Sequence, residues 1–280
     1  MAVDLHLHSN VSDGVDSPTR LMELAAEAGV TTASLTDHDT LDGLAEAKTA
    51  AERLGIRLIP GVELSVDHRG RKIHMLVYYI EPGGGPLQDR LHELLDGRSV
   101  RNVRIVAKLN ELGYPITMAE VEHQASGPSV GRPHIADALI ERGFFHHRNE
   151  VFEDLLRDGG AAYFPRSRLT AEEAITLARK ARQVPVVAHP KTIQVPDDGY
   201  GALFRELTDL GLGGIEAHHS MHEPELRLHL TELAHSLGLA ATGGSDFHGV
   251  GTRDYRIATG AGDLRVPEAS VEDLELQRQS

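Results

Sequence analysis

Along residues 1–80 the spacing of apolar positions switches repeatedly between every second residue and every third or fourth. The period-2 stretches predict strands over 3–8, 32–36, 58–64 and 72–80, the last two joined across a turn at 67–71. Between them lie two amphipathic helices. One passes through Leu21, Leu24 and Ala28, opened by Ser17-Pro18 and stopped by Gly29. The other covers 41–54 and stops at Gly55, with Asp39 as its expected N-terminal cap. After the turn Glu81-Pro82-Gly83-Gly84-Gly85-Pro86 the rhythm changes, and only helical patterns follow, over 87–112, 118–124, 133–142 and 151–157. Alternation then resumes. Thr170 and Glu173 form a capping box for a helix to Arg182, followed by a strand at 184–188, a helix at 203–210, a strand at 214–218, a helix at 224–237 and a strand at 239–243. From Asp263 onward there is charge and little apolar periodicity, so a loosely held tail is expected.

Seven strands in repeated βα units predict an α/β protein with parallel strands and barrel-like closure. The expected organisation is a discontinuous barrel, 1–84 and 162–280, carrying a helical insertion at 85–161 that covers the active site. In such barrels chemistry sits at the C-terminal ends of the strands.

Composition narrows the chemistry. The chain of 280 residues has no cysteine, which excludes disulfides, thiolate zinc sites and cysteine nucleophiles. No apolar run reaches a membrane span and the first residues lack a signal-peptide layout, so a cytoplasmic location is expected, without a membrane partner. A net charge of −14 repels long nucleic acid. Without a long exposed apolar stripe, a monomer is expected. Seventeen histidines against six phenylalanines and six tyrosines make the positions of the histidines worth following.

They gather at predicted strand ends. Val3-Asp4-Leu5-His6-Leu7-His8 puts two imidazoles on one strand face, and Asp13 follows in the loop. The second strand ends in Thr36-Asp37-His38-Asp39 and the third in Pro60-Gly61-Val62-Glu63, while the fourth carries His74. His189 follows the strand at 184–188, and Gly244-Ser245-Asp246-Phe247-His248 closes the last one. Each of these residues alone has an ordinary structural explanation. Nine converging on one rim would repel one another or lack partners without cations.

The strings Asp4-Leu5-His6-Leu7-His8-Ser9, Thr36-Asp37-His38-Asp39, Gly61-Val62-Glu63, Ala188-His189-Pro190 and Ser245-Asp246-Phe247-His248-Gly249 resemble, in order, the motifs of the PHP (polymerase and histidinol phosphatase) family. The resemblance implies a distorted (β/α)7 TIM-like barrel and a phosphoesterase using two or three divalent metal ions. Carried over by motif, His6, His8, Glu63 and Asp246 would hold one metal. Glu63 would bridge to a second held with His74 and His189, and Asp13, His38 and His248 would hold a third. Imidazole and carboxylate ligands suit Mn²⁺, Fe²⁺ or Zn²⁺. Such ions acidify bound water to a hydroxide that attacks phosphorus. Asp37 and Glu216 are the candidates for orienting the imidazoles.

Ser129-Val130-Gly131-Arg132-Pro133-His134 resembles a motif of the family's nucleotide-directed branch, whose members remove the 3′-phosphate of nucleoside 3′,5′-bisphosphates or trim short oligonucleotides from the 5′ end. The expected substrate is therefore a small phosphorylated metabolite, nucleotide or short oligonucleotide. Arg132, His134, Arg166, Lys191 and His219 are the candidate substrate contacts; a helix cap or a solvated face explains several of them equally well. Catalytic candidates are the bridging Glu63 and His222, the latter as general acid or substrate contact. Competing readings are a histidinol-phosphate phosphatase, an amidohydrolase-like C–N hydrolase, and a non-catalytic metal-binding module. Glu63 at the bridging position, where amidohydrolases often use a carbamylated lysine, weighs against the second. The complete ligand set weighs against the third.

Overall fold

The computed structural model describes residues 2–125, 130–165, 168–193, 195, 199–252 and 254–280. It divides into two compact units: one comprises Met1–Asp89 with Arg168–Ser280, the other Arg90–Ser167.

The first unit is α/β. Strands β1 (Ala2–Leu7), β2 (Val30–Leu35) and β3 (Arg57–Leu58) form a parallel sheet in that order. Helices α1 (Pro18–Glu27) and α2 (Leu44–Leu54) pack on it, burying Leu21, Met22, Ala25, Ala47 and Ala51 against Leu7, Ala33 and Leu35. The second sheet has six strands. In space they run β6 (Leu169–Thr170), β4 (Gly61–His68), β5 (Arg71–Tyr78), β7 (Val184–Val187), β8 (Gly214–His219) and β9 (Ala240–Gly244). This sheet is mixed, because β5 is antiparallel to both β4 and β7. Only Arg69 and Gly70 separate β4 from β5, and a link that short can make only a hairpin. All-parallel order therefore fails at this pair.

Two further expectations are corrected. Residues 58–64 do not form one strand: the chain breaks after Leu58, and β4 starts at Gly61, so Glu63 lies near the start of a strand rather than at its end. Nor is Asp39 a helix cap. It adopts a left-handed conformation (φ 55°) and accepts from the Ser65 backbone N–H at 3.0 Å, pinning β4, while α2 begins at Leu44 behind Gly43.

The segment beyond Asp263 is held, not loose. Leu264, Val271 and Leu274 join Val3, Leu5, Ile59 and Tyr78 in one buried cluster, and the Ser270 hydroxyl donates to Ala241 O at 2.6 Å. Helix α10 (Ala269–Gln279) thereby covers the sheet with Val271 and Leu274, one turn apart, while its other positions are mostly polar and hide the periodicity. Between α10 and the earlier elements of this unit come α7 (Ala171–Lys180), α8 (Tyr200–Asp209) and α9 (Pro224–Ser236).

The second unit is helical. Its α4 (Met118–His123), α5 (Arg132–Glu141) and α6 (Arg148–Val151) join most of α3 (Pro86–Glu111), which starts in the first unit. Ile105, Leu109, Val121, Ile135, Leu139 and Leu156 form its core. Among the described residues, no helix is long and apolar enough to cross a membrane.

Two close approaches set the site. The Asp4 carboxylate is fully buried and accepts from the backbone N–H groups of Ser245 (2.9 Å) and Ala258 (2.8 Å), clamping β1 to the segment after β9. At Gly244 a Cβ would lie 2.5 Å from the His6 backbone nitrogen, so only glycine lets β9 come this close to β1. Gly244→Ala is expected to lower the unfolding free energy by about 3 kcal/mol, as overpacking against backbone does, measured by denaturant melts of the metal-free chain. A melt unchanged from wild type would show that the two strands can separate without cost.

Candidate metal centre

Five imidazoles surround one carboxylate. On Glu63 Oε2 converge His6 Nε2, His8 Nε2 and His38 Nδ1, each at 3.2 Å. On Oε1 converge His74 Nδ1 at 2.9 Å and His189 Nε2 at 2.8 Å. Glu63 is fully buried. The Asp246 carboxylate closes the group, its Oδ1 lying 3.5 Å from His6 Nε2, 3.4 Å from His8 Nε2 and 3.5 Å from His248 Nδ1. Asp13 faces His248 Nε2 at 3.3 Å and His38 Nε2 at 3.7 Å. All nine ligand candidates from the sequence thus belong to one contiguous cluster.

They arrive on or just after six strands. β1 carries His6, and His8 follows its last residue. His38 comes just past β2, where a single parallel bridge joins it to Glu63 of β4. β5 supplies His74. His189 and Asp246 follow β7 and β9 and both take positive φ, 27° and 56°. Non-glycine residues hold that conformation only where the surroundings impose it, and here it turns ligand side chains inward. Asp13 is placed indirectly: Asp37 accepts from Ser9 N–H (2.8 Å), Ser9 Oγ (2.6 Å) and Ser12 Oγ (2.7 Å), fixing the loop that carries it. Asp37 therefore orients a loop, not an imidazole. Glu216 meets the expectation directly, with Oε1 2.8 Å from His6 Nδ1 and Oε2 accepting from His189 N–H at 2.6 Å.

The outer hydrogen bonds determine what the inner nitrogens can do. His6 donates from Nδ1 to Glu216, His189 from Nδ1 to the Thr192 hydroxyl at 3.0 Å, and His248 from Nδ1 to Asp246 O at 2.9 Å. In a neutral ring the other nitrogen, Nε2, then carries a lone pair, and in all three rings it faces a carboxylate oxygen. Lone pair against carboxylate is repulsive unless a proton or a cation lies between. The same need appears at His8 Nε2, His38 Nδ1, His74 Nδ1 and His248 Nε2, buried nitrogens that make no hydrogen bond.

Protons alone satisfy this poorly. Burial pushes the His8 imidazole down, yet the Asp246 and Glu63 carboxylates override it and hold it at about 10. Burial likewise opposes the charge on His6, but Glu216, Glu63 and Asp246 raise it well above the ordinary imidazole value. For His38 burial wins, aided by the neighbouring His8 and His74, and it falls to about 4. Burial would raise Glu63, but His38, His74 and His6 hold it well below the usual carboxylate range. The rings cannot all be protonated together, and the carboxylates cannot remain charged without them. Divalent cations resolve both conflicts, so the donor set fits metal. Ligating atoms within 4.8 Å of one another define the groups His6, His8, Glu63, Asp246; His8, Asp13, His38, His248; and His38, Glu63, His74. A further such group, His6, Glu216 and His219, lies beside them.

The softer candidates have mixed positions. His219 is buried; its Nδ1 accepts from Met221 N–H at 3.1 Å, which leaves Nε2 as the donor, 3.5 Å from Asp246 Oδ2. His222 donates from Nδ1 to Ala217 O at 2.9 Å, and burial lowers it to about 4. With Nδ1 as the donor, the Nε2 of the neutral ring is an acceptor. Lys191 donates to Met221 O at 3.0 Å and to Glu223 at 2.6 Å. Arg132 donates to Leu156 O at 2.7 Å and stacks near the Tyr163 and Phe152 rings, while His134 Nδ1 accepts from Gly131 N–H as a helix cap does. Arg166 lies outside the described residues, as does Ser129.

A cavity of about 460 Å³ opens on the cluster, lined by His38, Glu63, Lys72, His74, His189, Thr192, Met221, Asp246 and Tyr255. Lys72, Thr192, Met221 and Tyr255 are absent from the sequence-derived set. Lys72 precedes His74 by two residues on one strand, a spacing that was open to reading; the other three follow the ligand motifs with no pattern of their own.

The comparisons agree with this chemistry. The PHP domain matches residues 4–158. A phosphoribosyl 1,2-cyclic phosphate 1,2-diphosphodiesterase of Eggerthella lenta is 32% identical, the match covering 89% of this chain and 95% of that protein. A 3′,5′-nucleoside bisphosphate phosphatase of Chromobacterium violaceum is 31% identical, over 90% of each chain. A solved structure from Bifidobacterium adolescentis, described as a metal-dependent phosphoesterase, superposes with a TM-score of 0.81 at 29% identity, covering 98% of this chain and 96% of that one. Match and metal-ligand geometry converge: the chain belongs to the PHP domain family of metal-dependent phosphoesterases.

Proposed function

We propose that this chain is a phosphoric ester hydrolase acting on a small phosphorylated substrate, foremost the 3′-phosphate of a nucleoside 3′,5′-bisphosphate or the 5′ end of a short oligonucleotide. The observation that carries the reading is the Glu63 carboxylate with five imidazole nitrogens within 3.2 Å, an arrangement suited to bridging metals. A cyclic phosphodiester is the second reading, favoured by the similarity to the Eggerthella lenta diesterase. We read β1, β2, β4, β5, β7, β8 and β9, the strands longer than two residues, as one distorted seven-stranded barrel. Its seams are the single bridges between Leu7 and Phe247 and between His38 and Glu63. The location is taken as cytoplasmic and the chain as a monomer.

Mn²⁺, Fe²⁺ or Zn²⁺ would be held by His6, His8, Glu63 and Asp246, by Glu63 with His74 and His189, and by Asp13, His38 and His248. Bound there, such ions supply an acidified water and charge to offset that of the phosphoryl oxygens. The chain's own part is positional. Glu216 and Thr192 fix the rings of His6 and His189, Asp37 fixes the loop of Asp13, and the hydrogen bond to Ala217 O turns the unpaired His222 Nε2 away from backbone.

Stripping metal with chelator and restoring Mn²⁺ should abolish and then recover phosphate release from adenosine 3′,5′-bisphosphate; the same assay on histidinol phosphate, a 5′-phosphorylated oligoribonucleotide and a cyclic phosphate ranks the substrates. Absence of metal-dependent turnover on every phosphoester, with the sites loaded, refutes the hydrolase reading. Glu216→Gln should weaken metal affinity by about 10–100-fold, the usual cost of losing a carboxylate behind a ligating imidazole. Unchanged affinity would remove Glu216 from that role. The pH dependence follows from His8: its raised pKa means that a cation must displace a proton throughout the neutral range. Metal binding should therefore tighten as pH rises and release protons, read by calorimetry in buffers of differing ionisation heat. Binding that is independent of pH would contradict it.

A further inference from the structure

We infer that His219 is a positioning residue of the metal centre: its Nε2–H holds the outer oxygen of Asp246, so that the inner oxygen alone turns to the cluster. The inference rests on the metal reading above. The two Asp246 oxygens have different neighbours. Oδ1 lies 3.5 Å from His6 Nε2 and 3.4 Å from His8 Nε2, whereas Oδ2 lies 3.5 Å from His219 Nε2, the long end of hydrogen-bond range. That nitrogen is buried and makes no hydrogen bond to any other described group. A carboxylate ligand that can rotate can also swing away or bind through both oxygens. A donor on the outer oxygen fixes it.

The tautomer follows from the backbone. Met221 N–H donates to His219 Nδ1 at 3.1 Å, so the proton of the neutral ring is on Nε2, the nitrogen that faces Asp246. That proton decides against two other roles. A metal ligand needs a lone pair, and Nε2–H offers none, so the trio His6, Glu216 and His219 is a support and not a fourth metal position. The Glu216 oxygens, moreover, already meet His6 Nδ1 and His189 N–H. A substrate contact is disfavoured by burial. The His219 ring is fully buried among His6, His189, His222 and Tyr255, with centroids 5.3 to 6.4 Å away. Among the described residues lining the 460 Å³ cavity Tyr255 appears and His219 does not. The substrate contact expected of His219 from the sequence thus gives way to support of a ligand. Strand pairing sets its place: β8 carries His219 opposite Gly244 of β9, and Asp246 follows two residues later. The turn after β8 closes back on it, with His222 N–H donating to His219 O at 3.1 Å.

The test measures Mn²⁺ affinity of the full chain by chelator competition for His219→Ala, His219→Phe and His219→Gln. Melts of the metal-free chains report folding, and KM for adenosine 3′,5′-bisphosphate is read at saturating Mn²⁺. Ala and Phe remove the donor, Phe while filling the space; Gln keeps an N–H at similar reach. Loss of the donor should weaken affinity about 10–100-fold, the usual cost of removing a partner behind a metal ligand, and Gln should recover most of it. Affinity within about threefold of wild type in whichever of the Ala and Phe variants folds overturns the assignment, as does a Gln variant as weak as they are. A raised KM with unchanged affinity also overturns it and returns His219 to the substrate. Loss of folding in both Ala and Phe variants overturns it too, making the ring a core element alone. A wild-type chain that binds no Mn²⁺ defeats the metal reading itself, whereas Mn²⁺ binding without turnover of any phosphoester fails the hydrolase reading and leaves the affinity comparison decisive.

Discussion

A carboxylate at the centre of a folded protein must be matched by positive charge, and the described groups that meet the Glu63 oxygens are five imidazoles. Much of the first unit can be traced to that constraint. Five nitrogens can approach two oxygens only if β1, β2, β5 and β7 all bring histidines, two of them from β1, to the point where β4 places Glu63. That in turn demands the clamp of Asp4 on Ser245 and Ala258, the missing side chain at Gly244, and the left-handed turns at His189 and Asp246. None of these would be favourable in isolation. Positive φ at a histidine and an aspartate costs on the order of 1–3 kcal/mol each. Their coexistence at one place marks a site that the fold supports at the expense of local comfort.

The outer contacts convert a crowd of rings into ligands. With Nδ1 committed to Glu216, Thr192 or a backbone carbonyl, the rings of His6, His189 and His248 cannot turn, and their inner nitrogens are left facing carboxylates. A similar bond on His222 leaves a neutral acceptor buried close by. Proton and metal then compete for the same lone pairs.

The ligand set was legible from the sequence because its residue types are rare in combination and each follows an apolar run that can be recognised as a strand. Glu216 was legible for the same reason. The geometry beneath was less so. Asp4 looks like any polar residue in an alternating strand, yet it ties together segments more than two hundred residues apart. Asp39 has the local signature of a helix cap, and tertiary contact with Ser65 overrides it. The antiparallel turn between β4 and β5 was visible as a short link, but the surrounding βα rhythm outweighed it. Helix α10 was obscured because just a few of its positions are buried, too few for periodicity to register. Lys72 was passed over because a lone lysine on a strand resembles surface scatter until the cavity beside it is seen.

The clamp between β1 and the segment after β9 also bears on how the protein is made. Asp4 meets Ser245 and Ala258, 241 and 254 residues away, and His6 meets Asp246, so the first and last parts of the ligand set are joined across almost the whole described chain. Contacts of such separation form late, after the intervening chain has been ordered. During synthesis the early histidines emerge long before the carboxylate that completes their group, so a nascent chain holds fragments of a metal site but no complete one. A copy that stops short of Asp246 lacks one member of the group formed with His6, His8 and Glu63, however well its earlier strands are ordered.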